Sequence, residues 1–197
     1  MENFPKNTSR KIEQEENKAE KFSTEEGLDF IFEQNPILAS IGTKETYKQY
    51  LNLIFPESTI KNILYHGTDV DFRNEGFKAM PPSANTRWFT EESLGNKFYF
   101  TDDLEKAERR YSKQNGKDGF VLAVVVDFRN PKDDSTYDGT KLDDVDLTGY
   151  DSYVQKATYN IEGKNGQYFV AFDPGQIHIL GSNDDIEKFK EFVEFKK

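Results

Sequence analysis

Few residues in this chain have the chemistry to act as a nucleophile, base or metal ligand. Its 197 residues include two histidines, His66 and His178, and no cysteine. Disulfides, thiolate metal sites and cysteine nucleophiles are therefore excluded. No serine occupies a Gly-x-Ser-x-Gly elbow, and no His-Glu-x-x-His pair offers a zinc site. No glycine-rich phosphate loop leads into a helix. His66 follows a strand candidate and precedes Gly67 and Thr68. A histidine at a strand end, beside a glycine that lets a ligand approach the backbone, suits small-molecule binding. A structural histidine bonding its own turn through Thr68 is the competing reading. Tyr99 lies in Phe98-Tyr99-Phe100-Thr101, and Tyr111 ends the helical stretch that follows. A strand running into a helix can bring two rings to one cleft, where they would sandwich a flat heteroaromatic group. Such stacking is worth about 1 kcal/mol per ring, and more against a cationic ring. Two ordinary core tyrosines would give the same pattern.

The elements that must position these residues are legible from periodicity and punctuation. Residues 1–22 form a charged tail too poor in apolar groups to offset the entropy of ordering. Residues 23–57 form a helical segment. Ser23 and Thr24, followed by Glu25 and Glu26, start a first helix with Leu28, Ile31 and Phe32 on one face, ended by Pro36. Thr43 opens a second, with Tyr47, Leu51 and Ile54 on one face and Pro56 at its end. Residues 58–197 then read as the functional domain. Strands are predicted at Ile60–Tyr65, Lys97–Thr101, Phe120–Asp127, Tyr168–Phe172 and Ile177–Leu180. Helices are predicted over Asp102–Ser112 and Asp184–Phe195. The Val/Leu/Ala run from Phe120 implies a strand buried on both faces. Pro131–Tyr153, dense in aspartate, reads as a long solvated surface loop. It lacks the spacing and closing glutamate of an EF-hand. Alternation sets His178 on the face opposite Ile177 and Ile179, open to solvent, in a structural role.

Composition bounds the partners. The net charge is −10, and no basic stripe answers a nucleic-acid backbone. Backbone N–H groups can still hold the phosphates of one dinucleotide without net positive charge. Aromatic residues make up 14% of the chain, with 17 Phe and 10 Tyr, enough for a substantial core at 35% hydrophobic overall. The N-terminus has no apolar signal-peptide core, and the longest apolar run, Phe120 to Val126, is too short to span a bilayer. The expectation is a cytoplasmic protein with no membrane partner.

Three ordered motifs make a family pattern. They are Leu64-Tyr65-His66-Gly67-Thr68, then Tyr99-Phe100-Thr101-Asp102 with a helix ending at Tyr111, then Tyr168-Phe169-Val170-Ala171-Phe172-Asp173-Pro174-Gly175-Gln176-Ile177. Over residues 58–182 the chain resembles the ADP-ribosyltransferases of the diphtheria-toxin and poly(ADP-ribose) polymerase type, closest to their small bacterial and phage branch. Ile41-Gly42-Thr43-Lys44-Glu45 is similar to the leader that precedes this domain in phage and mobile-element proteins. The resemblance implies an α+β fold of two bent antiparallel sheets forming an NAD cleft, with N-terminal helices and a C-terminal helix. It implies that His66 hydrogen-bonds the adenosine ribose and that Gly67 pairs its backbone with the nicotinamide carboxamide. Thr68 would brace His66, and Tyr99 and Tyr111 would flank the nicotinamide ring. NAD would be the substrate, with no metal.

The departure from the family lies at its glutamate. Poly-ADP-ribosylating members carry a Glu at the start of the strand that here includes Tyr168; this chain offers Gln167 or, one residue on, Tyr168. A slip of one residue changes the face of the strand. Gln167 can bond a hydroxyl but cannot serve as a base, so chain elongation is not expected. Glu162, beside Gly163, reads as a solvated hairpin residue rather than a reserve carboxylate. Trp88 and Phe89 either wall the adenine pocket or cover the core. The expected activity is mono-ADP-ribosyl transfer from NAD to an acceptor, expected to be a protein of unknown identity, with His66, Tyr99 and Gln167 as the catalytic set. An NAD glycohydrolase, an inactive NAD-binding module and a ligand-free interaction domain are the alternatives.

Overall fold

The computed structural model describes residues 25–78, 97–112, 119–134, 142, 145–156 and 167–196. The N-terminal segment forms three helices: α1 (residues 25–34), α2 (Ile37–Ile41) and α3 (Lys44–Ile54). Thr43 caps α3 as its type demands, its side chain accepting from the Thr46 N–H. The rest is built on β1 (Leu64–Thr68), β2 (Phe98–Thr101), β3 (Phe120–Val126), β4 (Pro131–Asp134), β5 (Ser152–Lys156), β6 (Gln167–Ala171) and β7 (Ile177–Ile179). Between β2 and β3 comes α4 (Leu104–Lys106), which widens into a π-helical stretch, Ala107–Ser112. A final helix, α5 (Asn183–Phe195), closes the chain. The fold class is α+β. Among the described residues no helix is long and apolar enough to cross a membrane.

The strands form one seven-stranded mixed sheet in the order β4-β5-β6-β2-β1-β3-β7, rather than two separate antiparallel sheets. Only β4 and β5 run parallel. The sheet is nonetheless almost divided in two. β1 shares five residue pairs with β3, and β2 shares four with β6, but β1 and β2 share a single pair, Tyr65 with Thr101. The sheet also bends. Phe128, just past β3, stacks on Phe169 of β6 with ring centroids 6.2 Å apart. Strands three apart in a flat sheet lie about 14 Å from each other.

Gln176 fastens this bend. Its carboxamide oxygen accepts the Phe172 and Asp173 N–H groups at 3.1 and 2.9 Å. Its NH2 donates to the Asp127 carbonyl after β3 (2.9 Å) and to the Asp151 carbonyl before β5 (3.2 Å). Asp173 completes a capping box on the turn Pro174–Gln176. The amide of Gln176 is thus structural, as its place in the turn motif suggests.

Each sheet face has its own core. Leu64, Phe100, Leu122, Val124, Phe169 and Ile179 pack in one cluster on the inner face. On the other face Tyr65, Ala123 and Leu180 meet α1, α2, α3 and α5 through Leu28, Ile31, Leu38, Tyr47 and Phe189. β3 lies between the two clusters, which explains its nearly unbroken apolar sequence.

Several sequence expectations shift. β1 begins at Leu64, not Ile60, so His66, Gly67 and Thr68 lie within the strand. Thr59 is held outside it, its N–H bonded to the Phe128 carbonyl at 2.7 Å. Pro131–Asp134, read as loop, is an edge strand. Its charged sequence is what an edge tolerates, and so carries no alternating signal. His178 is on the face opposite its isoleucines, but that face is covered by α5, and the residue is buried.

His178 belongs to a hub around Asp185, which is fully buried. The Asp185 carboxylate accepts from Tyr47 Oη (2.5 Å), Tyr50 Oη (3.1 Å) and the Gly181 N–H (2.7 Å), and meets His178 Nε2 at 2.8 Å. Gly181 has φ +69°, a conformation glycine adopts without strain. One carboxylate therefore ties α3, β7 and α5 together, and burial with Asp185 alongside drives the Tyr47 hydroxyl well above its usual pKa. Replacing Asp185 by alanine strands these donors. The expected result is a loss of about 3 kcal/mol of folding stability in urea titration.

Candidate functional site

The site begins where β1 and β2 part. Continued antiparallel pairing beyond Tyr65 and Thr101 would set His66 opposite Phe100 and Gly67 opposite Tyr99, but no such pairs form. The imidazole of His66 spans the opening instead, its Nδ1 lying 2.9 Å from the Tyr99 carbonyl oxygen. A carbonyl only accepts, so Nδ1 carries the proton and donates. Nε2 is then left with a lone pair and no protein partner among the described residues. Phe72, Phe77 and Phe100 surround the ring, with centroids 5.9, 5.1 and 5.8 Å away. Burial in this cage lowers the His66 pKa from its ordinary 6.5, partly offset by the bond to Tyr99. The histidine is held neutral, in a fixed tautomer, with an acceptor free for an incoming hydroxyl.

The register assigns faces. Residues directly opposite in a ladder point the same way. Tyr65 pairs with Thr101 and Thr101 with Tyr168, so these share a face with Tyr99 and Gly67. His66, Phe100, Phe169 and Gln167 alternate to the inner face. The side chains of His66 and Tyr99 therefore leave the sheet on opposite sides, and the two residues meet through the Tyr99 backbone at the opening.

Over the Tyr99 side of β1 packs the π-helical stretch Ala107–Ser112, which contains Tyr111. An ordinary α-helix was expected there. The π geometry is uncommon and recurs at functional sites. Its entry is capped by Asp103, not Asp102, through a bond from the Lys106 N–H to Asp103 Oδ1 at 3.0 Å. Asp102 instead accepts the Gln167 N–H at 3.0 Å, joining β2 to the start of β6, and burial holds its carboxyl above the usual range.

Of the two candidates for the family's glutamate position, Tyr168 shares the face of Tyr99 and Gln167 does not. Gln167 lines a cavity of about 410 Å³ on the inner side, with Asn62, Asp133, Val154 and Phe169. Over the Tyr168 ring stands the Lys106 ammonium, 3.8 Å from the centroid. Lys106 and Asp102 were not singled out by sequence, because one lysine and one aspartate in a helix start look like solvated capping residues. Thr68 pairs with Phe120, and its hydroxyl accepts the Val70 N–H at 3.3 Å; His66 bonds the Tyr99 carbonyl and not Thr68. Trp88, Phe89 and Glu162 lie outside the described residues. No family model and no curated protein matches this chain.

The neutral state of the half-buried His66 has a pH signature. Its folded pKa is depressed, so below about 6.5 the unfolded chain takes up a proton that the folded one resists. Stability is therefore expected to fall as pH drops through 6.5 toward the lower folded value. Comparing denaturation at pH 7.5 and 5.5 in the wild type and His66→Gln checks this, since the variant should show a shallower loss.

Proposed function

We propose that the chain binds NAD at the opening between β1 and β2, in an ADP-ribosyltransferase fold, and acts as a mono-ADP-ribosyltransferase. The observation that carries this reading is the His66 arrangement. A neutral imidazole whose Nδ1 is spent on the Tyr99 carbonyl offers Nε2 as an acceptor for a ribose hydroxyl. The neighbouring features support it. Gly67 presents backbone without a side chain on the face of Tyr99, and the segment bearing Tyr111 packs over the same strand. In the transfer, the bond from ribose C1′ to the nicotinamide nitrogen breaks, and its electron pair leaves with a neutral nicotinamide. An acceptor nucleophile then bonds C1′ and gives its proton to solvent. Gripping the leaving group and stabilising the oxocarbenium-like transition state are the protein's tasks.

A protein acceptor suits this chain better than a nucleic acid. Its 36 acidic against 26 basic residues repel a phosphate backbone. A second reading, an NAD-binding module without turnover, is favoured by one observation. Tyr168 with Lys106 above it occupies the face where the family's glutamate would polarise the ribose and acceptor. Neither group supplies a negative charge for the developing cation.

Nicotinamide release and transfer of labelled ADP-ribose to lysate protein, followed together, decide between these readings. Wild type should release nicotinamide and label a macromolecule. His66→Ala and Tyr99→Ala should each cut release at least about tenfold. Unchanged turnover in both variants would refute the transferase site. Binding without release would leave the module.

A further inference from the structure

We propose that the cavity containing Gln167 is a second binding site, one that takes an uncharged, polyhydroxylated ring: a free sugar or the ribose of a nucleoside. The inference does not rest on the nucleotide reading above. The cavity, of about 410 Å³, lies between residues 59–62, which lead into β1, and the inner side of β4, β5 and β6. Small-molecule sites measure roughly 300–1,000 Å³. His66, Gly67 and Tyr99 are not among the residues that line it.

Three polar side chains in the lining have no work within the protein. Among the described residues, the side chains of Asn62, Asp133 and Gln167 make no hydrogen bond and no ion pair. The register places the carboxylate. Asp133 pairs with Val154, and Val154 with Phe169, so the three share the inner face. Asp134, one residue on, alternates away and accepts from the Tyr153 hydroxyl at 2.9 Å. An inward charge on an edge strand deters pairing with other chains, but that role does not call for two idle carboxamides in the same cavity. The other polar groups of the lining are engaged. The Thr59 hydroxyl donates to the Phe128 carbonyl at 2.7 Å, and the Lys61 ammonium to the Phe55 and Pro56 carbonyls at 2.6 and 3.0 Å.

The donor and acceptor inventory selects the ligand class. Each carboxamide offers both donors and an acceptor, and a carboxylate offers acceptors only. An inorganic anion would bring more acceptors to Asp133. A guanidinium would bring donors only and leave both carboxamide NH2 groups unanswered. A hydroxyl donates and accepts, so a ring bearing several can answer all three side chains. Ile60, Val154 and Phe169 supply an apolar wall for its carbon skeleton. Asp133 and Lys61 both line the cavity, so the ligand need carry no net charge.

NMR titration of the nitrogen-15-labelled full chain tests this, following the side-chain NH2 signals of Asn62 and Gln167. The probes are ribose, glucose and adenosine, with arginine and inorganic phosphate as charged controls. Thermal melts confirm folding of each variant. At least one of the three hydroxylated probes should shift both signals saturably, and more tightly than either control. Asp133→Ala should weaken that binding about tenfold or more, and Gln167→Leu, followed at Asn62, about threefold or more. His66→Ala should leave it unchanged. Tighter binding of adenosine than of ribose and glucose would mark the ligand as a nucleoside, and the reverse as a free sugar. The proposal is overturned if none of the three moves the Asn62 and Gln167 signals, if arginine or phosphate binds more tightly, or if Asp133→Ala binds as wild type does. None of these results alters the reading of the opening at His66.

Discussion

The hydrogen bond from His66 to the Tyr99 carbonyl is the constraint on which the site depends. Where β1 and β2 stop pairing, backbone groups that a continuous sheet would satisfy are released. A single imidazole reaches across to take one of them. That bond keeps the two halves of the sheet in register without closing the gap. It also fixes the tautomer, and so determines that the outward nitrogen accepts rather than donates. The surrounding phenylalanines keep the ring neutral and limit its motion. An opening in the sheet, with the Gly67 backbone on one strand and Tyr99 on the other, is what remains.

Two further polar clusters brace the sheet and its helices around that opening. At the far side of the bend, the four hydrogen bonds of Gln176 connect the ends of β3, β5, β6 and the turn before β7. On the outer face, Asp185 collects two tyrosines, a histidine and a backbone amide, locking α3 and α5 over β3 and β7. A buried carboxylate with four partners is costly to leave unpaired, so the helical layer docks in one arrangement. The N-terminal helices are therefore part of the same packed body as β1, through Leu28, Ile31 and Tyr47.

Much of this was legible in sequence, for identifiable reasons. Thr43, Pro36 and Pro56 mark helix ends because capping and proline chemistry act locally. β3 announced itself by an apolar run that only a doubly covered strand can have. The stretch from Asp173 to Gln176 was readable as part of the family motif, while its capping box became visible only in the structure. What escaped depended on distant partners. β4 is a strand only because β5 lies beside it. His178 is buried because α5 returns over its face. The start of β1 moved because Phe128, far along the chain, captures Thr59. At the site, His66, Gly67 and Tyr99 could be named, but their faces required the register. That register sets Tyr168, rather than Gln167, beside Tyr99. Lys106 over the Tyr168 ring had no sequence signal, since a lone lysine near a helix start is ordinary.

The most direct test of this account is nitrogen NMR of the His66 imidazole, in free protein near neutral pH and after saturation with NAD. The account predicts a protonated Nδ1 and a lone-pair-bearing Nε2 in the free chain, with the Nε2 resonance moving as it accepts a ribose hydroxyl. A proton on Nε2 in the free protein, or an Nε2 signal unmoved by saturating NAD, would contradict it.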